Sequence, residues 1–280
     1  MTATPAGATR TALRSRATVL IALAALPLLL AVIGPILAPH ALGTPLTAPF
    51  AGPGEGAVLG GDQLGRDVLS RVLHGGGLLI AGALLVATVT TAAAALIGCV
   101  AVLRPALGRA VERSADIAIL LPPLLGIMLI ALAWPGGGRW AVIAAAIVLG
   151  TPYAIRIVAA AASPLAAAGY VEAALARGES TRYTALREIL PNLRSTVLTL
   201  FGLRFVEAIY VISMAGFLQI GPQPPASDWS LMIRENAPGI LLNPWAVLAP
   251  SVAIATVAIT VSMVTHTLAP DSTTKAATRT

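Results

Sequence analysis

Tyr170-Val171-Glu172-Ala173-Ala174-Leu175-Ala176-Arg177-Gly178-Glu179-Ser180, running on through Arg182, Tyr183, Arg187 and Glu188 to Ile189-Leu190-Pro191-Asn192, is a polar island in a chain that is otherwise mostly apolar. Val171, Ala174, Leu175 and Gly178 fall at i, i+3, i+4 and i+7, so a helix here carries one small apolar face with Glu172, Arg177 and Glu179 off it. Gly178 stops or bends that helix, because glycine alone enters the left-handed region without a steric cost. Ser180 or Thr181 can cap a second helix, whose apolar residues Tyr183, Leu186, Ile189 and Leu190 run up to Pro191. The spacing predicts a short helix, a turn and another short helix between two membrane segments.

Composition supports those flanking segments. With 57% hydrophobic residues, 11% charged residues and a mean hydropathy of +0.85, the 280-residue chain holds more Ala, Leu, Val and Ile than a soluble fold could cover. A net charge of +6 points to nucleic acid in a soluble protein, but here basic loops of an inner-membrane protein account for it. The single cysteine, Cys99, lies in an apolar run, so there is no intrachain disulfide and the redox compartment stays unmarked.

Working outward, Arg10, Arg14 and Arg16 precede an uncharged run over residues 17–38. As a helix that run measures roughly 33 Å, enough to cross a bilayer, with Pro27 and Pro35 as kinks. A cleaved leader is the competing reading, but its apolar core is about 7–15 residues, and no clear small-x-small site follows. Further spans are expected at 78–103, at 115–134 with Asp116 near its inner end and Pro122-Pro123 as a kink, and at 140–162, where Arg156 can snorkel inward. A sixth follows at 246–265. The fifth is the weakest, because Arg204 and Glu207 interrupt it and leave only 208–221 uncharged. One turn apart, these two can pair on one face, which lowers the cost of placing either in lipid. They serve either as a structural or subunit contact or as part of a translocation path.

Six spans put both ends on one side. Twelve basic residues then lie inside (Arg10, Arg14, Arg16, Arg104, Arg109, Arg113, Arg177, Arg182, Arg187, Arg194, Lys275 and Arg279) against four outside (Arg66, Arg71, Arg139 and Arg234), which makes the termini and the Glu172 region cytoplasmic. The resulting divisions are an inner tail 1–16, a first span 17–38, an external loop 39–77, a five-helix core 78–268 with inner loop 170–192 and outer loop 222–244, and an inner tail 269–280.

Two more polar segments stand out. In Gly60-Gly61-Asp62-Gln63-Leu64-Gly65-Arg66-Asp67-Val68-Leu69-Ser70-Arg71, an acid near a helix start and Arg71 further along suit the macrodipole, and Val68, Leu69 and Val72 give one apolar side, as in an interfacial helix. In the run from Phe217 to Trp229, prolines end the fifth span and turn the chain into a scoop-like or re-entrant outer loop. Trp229 and Trp245 are aromatics of the kind that settle at the membrane surface.

Several chemistries are excluded. The only lysine is Lys275, so a phosphate-binding loop of Gly-rich turn, Lys and Ser/Thr cannot form, and the motive force comes from another subunit or an ion gradient. His40, His74 and His266 lie too far apart for a metal site built by local spacing, and no nucleophile elbow or Ser/His/Asp cluster is present. A gradient-driven transporter predicts internal repeats and deep carboxylates, whereas Glu207 is the one acid well inside a span.

The opening stretch resembles the cytoplasmic "EAA" coupling loop of permease subunits in ATP-binding-cassette importers, carried by Glu172-Ala173-Ala174, Gly178 and Ile189-Leu190-Pro191. The interval from Gly178 to Ile189 and the preceding Tyr170-Val171 resemble the dipeptide/oligopeptide/nickel branch. That branch carries a Gly-x-Asp-x-x-Gly-Arg-Asp-x-x-Ser-Arg segment, similar to residues 60–71. It also carries Phe-Leu-Gly-Leu-Gly-x-Gln-Pro-Pro-x-x-Glu-Trp, similar to residues 217–229 with Gln219, Pro222 and Asp228 substituted. The chain departs at Ala159, where relatives often have Arg, at Arg177, where they usually have Leu, and after the sixth span, where only Pro270-Asp271 suggests the family's tail.

The resemblance implies an all-α membrane protein of six transmembrane helices with cytoplasmic termini, in the type I ABC importer transmembrane fold with a cytoplasmic coupling helix, in the bacterial inner membrane. It implies a non-catalytic permease subunit forming half of a path for short peptides, with nickel chelates, haem or another small solute as alternative cargo. Glu172, Ala173, Ala174, Arg177, Gly178, Glu179 and Arg182 would enter a groove on a separate ATPase, the small residues allowing close approach and Glu172 accepting charge-assisted bonds. The expected partners are a second homologous permease, two ATPase subunits or a fused ATPase holding ATP and Mg, an extracytoplasmic substrate-binding protein and membrane lipid. No nucleic acid, and no cofactor or metal on this chain, is expected.

Overall fold

The structure, a computed structural model, describes residues 29, 31–54, 56–221 and 223–269. Among them are helices, turns and three isolated β-bridges, with no strand. The main helices are α1 (Val68–Ala101), α2 (Pro105–Leu120), α3 (Pro123–Ala133), α4 (Arg139–Ala166), α5 (Gly169–Ala176), α6 (Arg194–Phe217), α7 (Trp229–Asn236) and α8 (Trp245–Leu268). Four stretches are long and apolar enough to cross a membrane, namely α1, α4, Thr181–Phe217 and α8, and the bent pair α2 and α3 makes a fifth if it counts as one span. The expected first span, 17–38, falls mostly outside the described residues, which show helix at 31–37. The expected tail 1–16 lies outside them entirely, as does all but the first residue of the tail 269–280.

Two expectations change at the level of whole helices. The interfacial helix expected near residues 62–72 is not separate, because Val68 starts a 34-residue helix that runs through the expected 78–103 span. At 1.5 Å per residue α1 is about 51 Å long, well beyond a hydrocarbon core of about 30 Å. Asp67 caps its start, Oδ2 accepting from Ser70 N–H at 3.0 Å and Oδ1 from Leu69 N–H at 3.3 Å. The expected span 115–134 is not one kinked helix but two, α2 and α3, meeting at 92°. Leu121 and Pro122 each precede a proline, whose ring excludes helical geometry one residue upstream, and both are extended (ψ 116° and 126°).

The described residues form two compact units. One combines the residues up to Ile80 with Pro224–Leu268. Its centre is polar: Asp62 is fully buried, and its Oδ2 accepts from Arg66 Nε at 2.7 Å and from Arg71 Nη1 at 2.6 Å. Arg71, 1% exposed, also pairs through Nη2 with Glu235 Oε2 at 2.9 Å, off hydrogen-bonding alignment. Asn236 Oδ1 accepts from Gln63 N–H, Asn243 Nδ2 donates to Leu59 and Gly61 carbonyls, and Ser227 Oγ donates to Arg71 O. Trp229 is not an interfacial aromatic: it is buried, its indole N–H donating to Val72 O at 2.7 Å. A Cβ at Gly76 would overlap the indole ring, so the glycine run in α1 is the seat for Trp229. Trp245 is half exposed, as expected of an interfacial ring. The outer loop expected at 222–244 carries α7, capped by Asp228, whose Oδ1 accepts from Ser230 and Leu231 N–H.

The second unit is Ala81–Gln223. Small residues set its helix packing: Ala94, Ala154, Ala162 and Ala185 are fully buried, and a Cβ at Gly98 would lie 2.8 Å from Val158 Cβ. One apolar cluster joins Cys99 of α1, Val111 of α2, Val158 of α4 and Leu200 of α6 to the segment 169–193.

Candidate functional site

The segment 169–193 is built as an anchored knuckle in the second unit. In α5, Val171 and Ala174 are fully buried, and Val171 joins Ala185, Ile189 and Leu193 in the apolar cluster just described. The four-residue apolar face expected from spacing is therefore half as wide, because Leu175 is 43% exposed and Gly178 is exposed. Ala174 is fully buried within the chain. Arg177 ends the helix and Gly178 takes φ +84°, its N–H donating to Leu175 O at 2.9 Å while Glu179 N–H reaches back to Ala174 O at 3.2 Å. This is a left-handed helix stop, and it supplies the bend expected of Gly178.

Ser180 then caps the next turn, Oγ accepting from Tyr183 N–H at 3.2 Å. The second arm does not end at Pro191, as the sequence suggested. One α-turn (Thr181–Tyr183) passes into a π-helix (Thr184–Ile189), a 3-10 turn (Leu190–Leu193) and then α6. Pro191 sits at the start of the 3-10 turn, where its missing N–H goes unneeded, and just before it Leu190 N–H bonds five residues back to Ala185 O. Of the expected inward residues in this arm, Ile189 is buried, whereas Tyr183 and Leu186 are about two-fifths exposed. Asn192 Nδ2 donates to Tyr170 Oη at 3.5 Å and so links the two arms, a contact that sequence reasoning did not anticipate.

The outer surface of the knuckle carries Glu172, Ala173, Arg177 and Arg182, all exposed, with Glu179 half-buried. None of Glu172, Arg177, Glu179 and Arg182 forms an ion pair among the described residues, although other charges of the chain do, Arg156 with Asp116 at 2.7 Å for example. Four charged groups are thus presented without an ion-pair partner among the described residues.

The other sequence-derived candidates meet inside α6. Arg204 Nη1 stands 2.7 Å from Glu207 Oε2, an ion pair as expected, and donates to Gly150 O at 3.5 Å. The guanidinium carbon stands 5.1 Å from the centre of the Tyr153 ring, a cation–π contact. Arg204 is 3% exposed, but the Glu207 side chain is 43% exposed. Both line a cavity of about 230 Å³, with Thr90, Gly150, Tyr153 and apolar residues of α2, α3, α4 and α6. Gly150 and Tyr153 were not legible as site residues, since nothing in an apolar helix marks which of its faces an arginine from another helix will meet.

Residues 91–272, which include the whole knuckle and the Arg204–Glu207 pair, match the family of binding-protein-dependent transport system inner membrane components. Similar proteins include a di/tripeptide transport system permease protein of Pseudomonas aeruginosa (33% identical over 199 residues, 70% of this chain and 65% of that protein) and a peptide transport system permease protein of Escherichia coli (32% over 198 residues, 70% and 66%). A glutathione transport system permease protein of Pectobacterium atrosepticum is 28% identical over 204 residues, 72% of this chain and 67% of that protein. The matched part thus spans about two thirds of the length of these relatives. The long apolar helices, the knuckle between α4 and α6, and the family match over most of the chain agree: the chain belongs to the inner membrane components of binding-protein-dependent transport systems, multi-pass proteins of the all-helical type I importer fold.

Proposed function

We propose that the chain is a permease subunit of an ATP-driven importer, forming half of a path for short peptides and taking its motive force through residues 170–192. The observation that carries this reading is the knuckle itself, apolar and anchored on its inner side, charged on its outer side and without ion pairs there among the described residues. Glu172, Arg177, Glu179 and Arg182 offer both signs of charge to a partner, which favours one docking register over others. ATP and Mg belong on two separate ATPase subunits or a fused one, since the chain lacks a phosphate-binding loop. A second homologous permease and an extracytoplasmic substrate-binding protein complete the complex, and the names of the similar peptide permeases support the cargo class.

Force applied at α5 reaches the membrane because the anchor is shared. Val171, Ala185 and Ile189 pack in the same cluster as Cys99, Val158 and Leu200, so moving the knuckle drags α1, α4 and α6 and does not merely stretch a linker. The test is uptake by vesicles containing this chain with its partner subunits. Accumulation of a labelled dipeptide should require ATP and persist after proton and sodium gradients are collapsed. Uptake that follows a gradient and ignores ATP would refute the proposal.

A further inference from the structure

We infer that Arg204 is a carboxylate-accepting subsite inside the membrane, where the free carboxylate of the cargo docks on the guanidinium edge that Glu207 leaves open. The inference rests on the importer reading and adds the chemistry of one contact along the path.

An arginine that merely balances a nearby acid in lipid has no reason to keep donors idle. Among the described residues only Nη1 is engaged, by Glu207 Oε2 at 2.7 Å and at the long distance of 3.5 Å by Gly150 O. Nε is buried and has no acceptor among the described residues. An unpaired buried N–H is costly, and the cost persists only if something else supplies the acceptor. The asymmetry of the pair points the same way: the cation is almost fully covered while the anion is 43% exposed, so the two charges are not hidden together from their surroundings.

The neighbours leave room for an incoming anion. Tyr153 supports the guanidinium, 5.1 Å from ring centre to Cζ, and holds its position without using an N–H donor. Gly150 presents no side chain, where a Cβ would stand 3.4 Å from Nη1. The cavity of about 230 Å³ is lined mainly by apolar side chains such as Val86, Ile127 and Leu149, which suit a small aliphatic side chain beside the carboxylate. A carboxylate matches the planar fork of two parallel N–H groups, the geometry guanidinium favours. Glu207 closes the pair when the cavity is empty and opposes the bound anion, which keeps affinity low enough for release, as a transport path requires.

The test uses the full chain in lipid nanodiscs with three probes, propionate, Ala-Ala and Ala-Ala amide, read by saturation-transfer NMR. Propionate and Ala-Ala should give signals at least tenfold stronger than the amide. Arg204→Gln should abolish the acid signals, Arg204→Lys should retain part of them, and Glu207→Gln should strengthen them. Equal signals from acid and amide, or acid signals unchanged in Arg204→Gln, would overturn the subsite. Should Arg204→Gln fail to fold, Glu207→Gln decides, because a purely structural pair yields no gain in acid binding when its anion is removed. If propionate binds through Arg204 but the complete complex moves no Ala-Ala, the subsite stands and the peptide reading falls. If the complex moves Ala-Ala while the nanodisc experiment shows no acid preference, the reverse holds.

Discussion

Replacing Gly178 tests whether the knuckle works through its backbone. Gly178 sits at φ +84°, and a Cβ built there meets nothing within 4 Å, so a side chain at this position costs conformation and not space. For an L-residue the left-handed region costs about 1–2 kcal/mol, less for Asn, which bonds locally to the backbone. Two hydrogen bonds hold the bend, from Gly178 N–H to Leu175 O and from Glu179 N–H to Ala174 O. At about 1 kcal/mol net each, they provide stabilisation of the same size as the penalty. Gly178→Leu should therefore raise the opening equilibrium of the bend by about 5–30-fold, and Gly178→Asn by much less. Amide hydrogen exchange over residues 176–180 reads the opening directly, and dipeptide taken up per ATP hydrolysed by the reconstituted complex reads its consequence. Both should worsen in the order Gly, Asn, Leu. If Leu leaves exchange protection at the wild-type level, the backbone reasoning fails. If Asn and Leu both abolish uptake without faster exchange, Gly178 acts as a contact with the partner and not as a hinge.

Three further outcomes follow from the same structure. Glu172→Lys changes an exposed residue with no ion pair among the described residues, so stability should move by less than about 0.5 kcal/mol, while uptake per ATP falls at least tenfold; normal uptake would count against docking at Glu172. Arg71→Ala removes the cation that joins Asp62 to Glu235 and leaves buried carboxylates short of a partner, a loss of about 3–5 kcal/mol that thermal unfolding in detergent should register. Gly76→Ala forces the Trp229 indole off Val72 O at a cost of about 1–3 kcal/mol, visible as a red shift in the part of the fluorescence that Trp229→Phe removes.

What could be read from residues alone was whatever depends on local spacing. Gly178 lies seven residues after Val171, and Ser180 follows two later, so a helix, a left-handed stop and a cap were legible in order, and the structure has all three. The Arg204–Glu207 pair was legible because three residues of helix bring side chains together whatever surrounds them. The second arm misled because Pro191 reads as a stop, yet a π-helix lets the chain pass it and merge with α6. Trp229 misled because an aromatic beside prolines suits a membrane surface, and the glycines that receive it lie more than 150 positions away.

The long apolar runs and the motif around Glu172 are properties of short windows, and they make fold class and family legible because burial in lipid and the helical repeat act over a few turns. Which residues of the knuckle anchor it, which carboxylates close on Arg66 and Arg71, and which tyrosine and glycine flank Arg204 are pairings between segments far apart in the chain. Such pairings are set by which helix faces pack together. That choice is made by the sum of many small contacts across several helices, and only the folded chain displays the sum.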